Sequence, residues 1–294
     1  MIENGKPDLV HVHVPVRAGL FAIRMKKKLG IPYIVTEHWT IYQPQNVLLY
    51  EQQKALFKSV LYWVVKHSRL LLTVSKDLGL LMNKLVTKKE FLVVENVANE
   101  KYFYYADNIK TGPFFRFIHV SNMTYQKNAE AIIDCFFRFQ QKLPNAQLVI
   151  VGRIPEMMQQ LIRKTGLLDK KILLKGEIDY TAVAGEMQQA NVLVMFSRFE
   201  NSPCSIIEAL CCGLPVIATK VGGIPELLNN NNGLLIESLD EKALFEALVA
   251  MAANYLKYDR KKIAEDAKSK FSYSVIGKKL DKIYEAVLQT TDNQ

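Results

Sequence analysis

Short apolar runs alternate with helix-forming segments along almost the whole chain, and this alternation restricts the fold more than any other feature. Strands that are separated by helices pair in parallel, because a parallel connection needs a crossover of about a dozen residues or more. The sequence therefore predicts an α/β protein with parallel sheets. The predicted strands lie near residues 9–14, 33–37, 70–75, 91–97, 115–121, 147–152, 172–176, 191–197, 215–219 and 234–237.

A polar segment at residues 102–113, which ends in Thr-Gly-Pro, separates the first four predicted strands from the last six. We expect a first domain over residues 1–108 and a second over residues 113–270, both of the doubly wound type. The last helix, over residues 272–290, is expected to pack back on the first domain. Six strands suffice for a complete domain of this type, whereas four are few, so the first domain is predicted to be incomplete and to lack its initial strands.

The chain carries a formal net charge of +9, and the excess belongs to the first predicted domain. Residues 1–110 contain 16 Lys and Arg against 9 Asp and Glu, whereas residues 111–294 contain 22 against 20. Such an excess favours an anionic membrane surface, an anionic acceptor or nucleic acid. Residues 54–67 mix lysines with aromatics at helical spacing, which fits either a membrane-facing helix or an ordinary covering helix with lysines in water. No segment is typical of a nucleic-acid-binding module, so nucleic acid is not expected as a partner.

The cysteines indicate a reducing compartment. Cys135, Cys204, Cys211 and Cys212 show neither a disulfide framework nor metal-ligand spacing, which favours reduced thiols in a cytosolic protein. No apolar run is long enough for a membrane span, and no signal-peptide pattern opens the chain. We therefore expect a cytoplasmic protein, with contact to the inner face of a membrane as the alternative that the basic first domain leaves open.

The most informative string lies between residues 199 and 228 and reads FENSPCSIIEALCCGLPVIATKVGGIPELL. It follows a buried strand, and Ser202-Pro203 offers an N-cap and a proline at the first helical position. The N–H groups of Cys204 and Ser205 would then point out of the carboxyl edge of the sheet, where helix N-termini attract phosphate. Glu200 precedes this anion site and Glu208 lies in the second turn. Because carboxylates accept hydrogen bonds from hydroxyls, the string predicts a site for a phosphorylated, hydroxyl-rich ligand.

With its two glutamates separated by seven residues, this string closely resembles the signature of the retaining GT-B glycosyltransferases of family 4, the sucrose-synthase-like group. The resemblance implies two Rossmann-like domains that face a cleft. It also implies that Glu200 contacts the donor sugar and that Glu208 holds the ribose of the nucleotide. Asn201, Ser202 and Gly176 are further positions that the resemblance places in nucleotide binding.

The first domain carries a weaker part of the resemblance. Residues 6–13 and 30–38 are similar to the middle of the family's first domain, and His38 matches its Thr-x-His position. The match implies that His38 contacts the transferred sugar or the acceptor. Strand alternation places His11 and His13 on one face, where either imidazole could instead pack against a covering helix.

Residues 117–128 resemble the loop that clamps the donor diphosphate in this family, and Lys127 matches the clamp lysine and is expected to open a helix. The family's arginine is missing: Asn122 stands at its usual position and Thr124 at the alternative one. A permanently charged donor is thus replaced by a neutral one. Charge neutralisation would then rest on Lys127 and the helix N-terminus, assisted by Arg153 or Arg198.

Taken together, the residues and the resemblance predict a retaining transferase that uses a UDP- or GDP-sugar, with no prosthetic group. No Asp-x-Asp motif occurs in the sequence, so no divalent metal is expected to be essential. The acceptor is expected to be a glycan or a lipid-linked hydroxyl, in cell-surface polysaccharide or glycolipid synthesis. Two alternatives stay open: a non-catalytic sugar-nucleotide-binding subunit, and a GT-B sugar-nucleotide epimerase.

Overall fold

The structure, a computed structural model, describes residues 5–46, 49–107 and 112–289. Within these ranges all ten predicted strands are present, and their ends shift by a few residues. They form two separate parallel sheets of four and six strands. The α/β fold with two parallel-sheet domains is therefore confirmed.

The smaller sheet has the strand order β1-β2-β3-β4, and every neighbouring pair is parallel. Three helices connect its strands, as parallel pairing requires. All five residues of β2 are buried, since helices cover both faces of the sheet at this strand. The elements are β1 (Val10–His13), α1 (Pro15–Leu29), β2 (Tyr33–Glu37), α2 (Ala55–His67), β3 (Leu71–Thr73), α3 (Lys76–Leu85) and β4 (Phe91–Val93).

The larger sheet has the strand order β10-β9-β8-β5-β6-β7. The chain starts in the centre at β5, builds outward to β7, and then returns to the other side of β5 with β8. The order therefore reverses between β5 and β8, as in doubly wound folds. Its strands are β5 (Phe115–Val120), β6 (Ala146–Val151), β7 (Ile172–Gly176), β8 (Val192–Met195), β9 (Val216–Thr219) and β10 (Gly233–Ile236).

The helices of the larger sheet bury its strands from both sides. Every residue of β6, β8 and β9 is buried, which is the burial expected for central parallel strands. Two apolar clusters form the core, one on each face of the sheet. The helices are α4 (Ala129–Phe139), α5 (Glu156–Lys164), α6 (Tyr180–Gln189), α7 (Cys204–Cys211), α8 (Ile224–Leu227), α9 (Glu241–Asn254) and α10 (Arg260–Phe271). None of the helices in the described ranges has the length and apolar character needed to cross a membrane.

The chain forms two compact units, with residues 1–95 and 274–294 in unit 1 and residues 96–273 in unit 2. The chain thus enters unit 2 at Asn96, before the predicted linker, of which residues 108–111 lie outside the described ranges. The reason is a pairing of distant segments: the Ala98 N–H donates to the Phe271 carbonyl at 3.0 Å, and Ala98 bridges Ser272. The final helix, α11 (Tyr273–Gln289), belongs to unit 1 except for its first residue.

Candidate functional site

The loops after β5 and β8 lie where the strand order of the larger sheet reverses. In open α/β sheets, ligands bind just beyond the carboxyl ends of the strands at such a point. Lys127 lies in the loop after β5, and Glu200 lies in the loop after β8. Two of the predicted site residues are therefore in the region where this architecture places a ligand.

Lys127 and Glu200 form an ion pair across these two loops. Lys127 Nζ donates to Glu200 Oε1 at 2.5 Å, and the Ser197 hydroxyl donates to the same oxygen at 2.9 Å. Both hydrogen bonds use Oε1, so Oε2 receives none from the described residues. An ammonium group has three N–H donors, which leaves Lys127 able to donate to a second anion. The sequence motifs indicate both residues, but they do not indicate that the two side chains pair.

Arg198 fixes the loop that carries Lys127. Its Nη1 donates to the Tyr125 carbonyl at 2.5 Å, its Nη2 donates to Glu130 Oε1 at 2.7 Å, and its backbone N–H donates to the Gln126 carbonyl at 2.7 Å. The guanidinium was a candidate for assisting Lys127 with phosphate, but here it is engaged in holding the loop. Arg153, the other candidate, is exposed after β6 and forms no ion pair with any described residue.

The loop between β5 and α4 departs from the predicted helix start. Lys127 was expected to open the helix, but Tyr125–Lys127 forms a single 3₁₀ turn and α4 begins at Ala129. Asn128 between them has a φ of 50°, a left-handed conformation that a continuous α-helix does not allow. Asn122, also predicted to bind the donor, is exposed in the same loop.

A buried histidine, His119, orders the start of this loop through hydrogen bonds, and no sequence motif indicates it. His119 Nδ1 lies 2.9 Å from the Val194 carbonyl, and Nε2 lies 2.7 Å from Ser121 Oγ. Burial lowers the pKa of His119 to about 4, so the ring is neutral at pH 7. Because a carbonyl only accepts, Nδ1 carries the proton and Nε2 accepts from the Ser121 hydroxyl. Ser121 Oγ in turn accepts from the Met123 N–H at 3.0 Å, which orders the start of the loop.

Helix α7 begins one residue later than predicted. Its first residue is Cys204, and Pro203 takes the preceding position with an extended backbone and no side-chain cap. Ser202 therefore does not act as the N-cap, and its buried hydroxyl has no hydrogen-bond partner among the described residues. The first N–H groups of a helix have no intrahelical acceptor, so those near Cys204 and Ser205 are available for an anion.

Glu208 lies in the second turn of α7 and is nearly buried. The Tyr180 hydroxyl donates to its Oε1 at 2.9 Å. Burial raises the pKa of Glu208, and the hydrogen bond from Tyr180 opposes this shift. Tyr180 is the first residue of α6, on the segment that follows β7 and the predicted site residue Gly176, whose φ is 68°. The sequence contains no local signal for this contact, since the two residues are 28 positions apart.

Asn201 is a predicted site residue that the structure buries. It lies between Glu200 and Ser202 at the base of the β8–α7 loop and is 2% exposed. The Ser202 carbonyl accepts a hydrogen bond from Asn96 Nδ2 at 2.7 Å, which fixes the loop to the start of unit 2. The β8–α7 loop, which carries Glu200, Asn201 and Ser202, is thus fixed by hydrogen bonds from Asn96 and Lys127.

Unit 1 carries a separate group of three histidines, His11, His13 and His38. His13 Nδ1 lies 2.9 Å from His38 Nε2, and their rings stack with centroids 5.2 Å apart. The ring of His11 is tilted by 33° against that of His13 with their centroids 4.3 Å apart, and its Nδ1 lies 2.8 Å from the Tyr284 hydroxyl oxygen. The two strand histidines therefore share a face, as predicted. His11 packs against the covering helix α11, whereas His13 contacts His38, the residue predicted to meet the sugar or acceptor.

Two of these histidines, His11 and His13, are biased toward the neutral form. Burial, followed by the nearby His13 and His38, lowers the pKa of His11 to about 4, and burial lowers the pKa of His13 as well. A hydrogen bond between two imidazole nitrogens needs one donor and one acceptor, so at least one ring of the His13–His38 pair is neutral. In the described ranges, no three His, Cys, Asp or Glu side chains are grouped as metal ligands.

Comparison with known proteins identifies the two parts of the chain. Residues 1–96 match the family described as Glycosyltransferase Family 4, and residues 115–254 match the family described as Glycosyl transferases group 1. An uncharacterized glycosyltransferase of Methanocaldococcus jannaschii is 27% identical over 97% of this chain and 77% of its own length. Against three other curated relatives, the chain spans from 65% down to 27% of the relative's length.

Two solved structures share the fold. Sucrose-phosphate synthase from Thermosynechococcus elongatus superposes with a TM-score of 0.83 at 20% identity, covering 96% of this chain and 74% of that protein. Anabaena Alr3699/HepE, solved in complex with UDP and glucose, superposes with a TM-score of 0.78 at 16% identity, covering 95% of this chain and 78% of that protein. At these identities the likeness establishes the fold.

Proposed function

The chain belongs to the family 4 type of glycosyltransferase with a GT-B fold, and we propose that it moves a sugar from a nucleotide sugar to an acceptor hydroxyl. The observation that carries the proposal is the Lys127–Glu200 ion pair at the point where the strand order reverses. One side of this pair offers ammonium donors for a diphosphate, and the other offers a carboxylate oxygen for sugar hydroxyls.

We propose a UDP-sugar or GDP-sugar as the donor. The Anabaena protein of the same fold was solved with UDP and glucose, which supports UDP as the first nucleotide to test. In this chain Glu208 would accept hydrogen bonds from the ribose hydroxyls through Oε2, because Tyr180 occupies only Oε1. The N–H groups near Cys204 and Ser205 would bind phosphate oxygens.

The proposed chemistry follows from the charges that develop during transfer. Breaking the glycosyl–phosphate bond places negative charge on the departing diphosphate and positive charge on the anomeric carbon. Lys127 and the first turn of α7 would stabilise the leaving diphosphate, while Glu200 would orient the sugar ring. Arg153 is the remaining cation that could assist, since Arg198 is engaged with Glu130. Retention of configuration and independence from a divalent metal stay predictions.

We place acceptor recognition on unit 1, with His38 as the residue that contacts the transferred sugar or the acceptor. Its ring is held against His13 at 2.9 Å, so its orientation is set before any ligand binds. A glycan or lipid-linked hydroxyl is the proposed acceptor class, in cell-surface polysaccharide or glycolipid synthesis. The predicted cytoplasmic location stays a prediction.

The experiment that tests the donor is a thermal-shift screen of the full chain against UDP, GDP, ADP and their common sugars. We expect at least one nucleotide sugar to raise Tm, because a ligand at 100 times its Kd stabilises by about 2.7 kcal/mol. Release of nucleotide from that donor is then followed with and without candidate acceptors. No stabilisation by any compound at millimolar concentration would remove the proposal.

A non-catalytic role has one observation in its favour, which is the neutral Asn122 at the position of the family's clamp arginine. A binding subunit would be stabilised by the nucleotide sugar but would release no nucleotide above background. The Lys127→Ala variant separates the two functions, since a transferase loses turnover on this change. Lys242→Ala, on the exposed face of α9, is the matched control.

A further inference from the structure

We propose that the outer face of helices α1 and α2 binds the surface of an anionic lipid membrane. This face lies entirely within unit 1, so the inference stands apart from the donor site of unit 2. It joins an exposed apolar groove to a set of basic side chains that no carboxylate of either helix balances.

The two helices lie unusually close to each other. Gly19 of α1 faces Val64 of α2, and a Cβ added at Gly19 would meet Val64 Cγ1 at 2.4 Å. The close crossing opens into a groove on the outward side, whose apolar walls come from both helices. The apolar lining residues are Leu20, Ile23, Tyr33, Leu56, Val60 and Trp63.

Four apolar side chains of helices α1 and α2 are more than half exposed. Leu56 is 75% exposed, Trp63 is 54% exposed, and Leu20 and Phe21 are also more than half exposed. The Trp63 ring stacks on His67 at 4.6 Å, which holds the indole in place at the rim of the groove. Contiguous exposed apolar surface of this kind marks an interaction site, and Trp is the side chain favoured at membrane interfaces.

The charge on the same two helices selects the partner. Neither α1 nor α2 contains an Asp or a Glu. The basic residues are Arg17, Arg24, Lys26, Lys27 and Lys28 on α1, and Lys58 and Lys66 on α2. Lys26 and Lys27 line the groove itself. A basic face with embedded Trp and Leu is typical of helices that lie in the headgroup region of an anionic bilayer.

A second copy of this chain fits the same surface less well. Two such faces would bring Lys and Arg against Lys and Arg, which opposes self-association. An anionic bilayer instead supplies phosphates to the lysines and an apolar boundary to Leu56 and Trp63. Charge complementarity therefore assigns this surface to lipid.

The test is co-flotation of the full chain, in the absence of nucleotide, with phosphatidylcholine vesicles that contain about 30% of the anionic lipid phosphatidylglycerol. We expect binding to these vesicles, little binding to pure phosphatidylcholine, and weakening as salt rises. The Lys27→Gln/Lys28→Gln variant should bind about tenfold or more weakly, and Leu56→Ser/Trp63→Ser should lose a similar factor.

Two control variants distinguish binding by this surface from nonspecific binding through net charge or exposed apolar side chains. Lys261→Gln/Lys268→Gln removes the same charge from exposed positions of α10, and Leu256→Ser removes an apolar side chain that is 96% exposed in unit 2. Both controls should bind like the unaltered protein. The proposal would be overturned if the protein did not bind the vesicles, or if the controls lost as much binding as the test variants. It would also be overturned by a dimer in sedimentation that Leu56→Ser/Trp63→Ser abolishes. Because nucleotide is absent, failure here leaves the donor-site proposal intact.

Discussion

The buried carboxylate of unit 1 and the two buried carboxylates of unit 2 are equally withdrawn from water, yet their hydrogen bonds differ in origin. Glu37 is 1% exposed, Glu200 is 4% exposed and Glu208 is 7% exposed. Glu37 Oε1 accepts from the N–H groups of His38 and Trp39, and Oε2 accepts from the Tyr42 hydroxyl, so both oxygens have partners. All three donors lie within five residues of Glu37 in the sequence.

Glu200 and Glu208 are each held through one oxygen, and their main partners lie 73 and 28 residues away. A carboxylate that is satisfied by its own loop stabilises that loop. A carboxylate that is held by distant elements, with one oxygen left over, is positioned and still able to accept a hydrogen bond from a ligand. We therefore propose that Glu37 is structural and that the two glutamates of unit 2 bind the ligand.

The largest effect expected from this comparison is the loss of transfer in Lys127→Ala. Without the ammonium group, the departing diphosphate loses its nearest cation, and turnover should fall by about 10²–10³-fold. Steady-state kinetics with the nucleotide sugar found in the screen provide the measurement. His38→Ala in unit 1 should cost less, on the order of tenfold, because it removes only a hydrogen-bonding contact with the sugar or the acceptor. If His38→Ala costs more than Lys127→Ala, the chemistry does not centre on unit 2.

The support of the Lys127 loop by backbone packing leads to the next prediction. Gly152 has a φ of 119°, and a Cβ there would lie 2.0 Å from the Ser121 carbonyl oxygen. Gly152→Ala should destabilise unit 2 by about 3 kcal/mol or more, as measured by urea unfolding. Gly185→Ala is the matched control, because nothing lies within 4 Å of a Cβ at that helical position. The control should gain about 0.5–1 kcal/mol, and equal losses in both variants would contradict the packing argument.

The next prediction concerns the pH dependence of folding stability, to which the histidines of unit 1 contribute. The folded state lowers the pKa of His11 from 6.5 to about 4, so the unfolded chain binds the proton more readily. Stability is therefore full above pH 6.5 and declines as the pH falls toward 4. Because His11 is only half-buried, we discount its share to about 1 kcal/mol, or about 2–4 °C in Tm.

The measurement is Tm between pH 7 and pH 4.5 for the unaltered chain and for His11→Gln. The variant should lose Tm less steeply, since glutamine keeps polar contacts but does not titrate. His119 in unit 2 has a similarly lowered pKa and contributes an acid-dependent loss of its own. Identical pH slopes for His11→Gln and the unaltered chain would show that the His11 contacts do not shift its titration.

The smallest effect is expected for Tyr180→Phe, which removes the hydroxyl that donates to Glu208. Without this donor the pKa of Glu208 rises further, because the hydrogen bond now opposes the effect of burial. Oε2 of Glu208 is not engaged by Tyr180 and stays in place for a ribose hydroxyl, so UDP affinity should weaken by only about two- to fivefold. Titration calorimetry measures the change. A loss as large as that of Glu208→Gln would mean that Tyr180 itself binds the nucleotide.

Much of the fold was predictable because it depends on local patterns. Buried parallel strands produce short apolar runs, and all ten were found in this way. Glu200, Glu208 and Lys127 could be named from motifs that follow strand ends. The pairing of Lys127 with Glu200 could not, since it depends on β8 lying beside β5, and strand order leaves no trace in a single sequence.

The features that the sequence does not indicate have the same physical origin. The chain passes from unit 1 to unit 2 after Glu95, because Ala98 pairs with Phe271 and Ser272, segments far from it in the chain. Helix α4 begins at Ala129 and not at Lys127, because Asn128 adopts a left-handed conformation that the neighbouring sequence does not indicate. His119 was missed because a histidine within an apolar strand looks like core until its partners are known.

The assignment of the nucleotide site to unit 2 is tested by the Kd of UDP, measured by titration calorimetry for Glu208→Gln in unit 2 and for Glu37→Gln in unit 1. We predict that Glu208→Gln weakens UDP binding by about tenfold or more while Tm changes little, since a hydrogen bond to a charged group contributes about 1.5–3 kcal/mol. Glu37→Gln should lower Tm and leave the Kd of UDP unchanged. The surface control Glu265→Gln should also leave this Kd unchanged. An unchanged Kd in Glu208→Gln, or an equal loss of UDP affinity in Glu37→Gln, would contradict the assignment of the nucleotide site to unit 2.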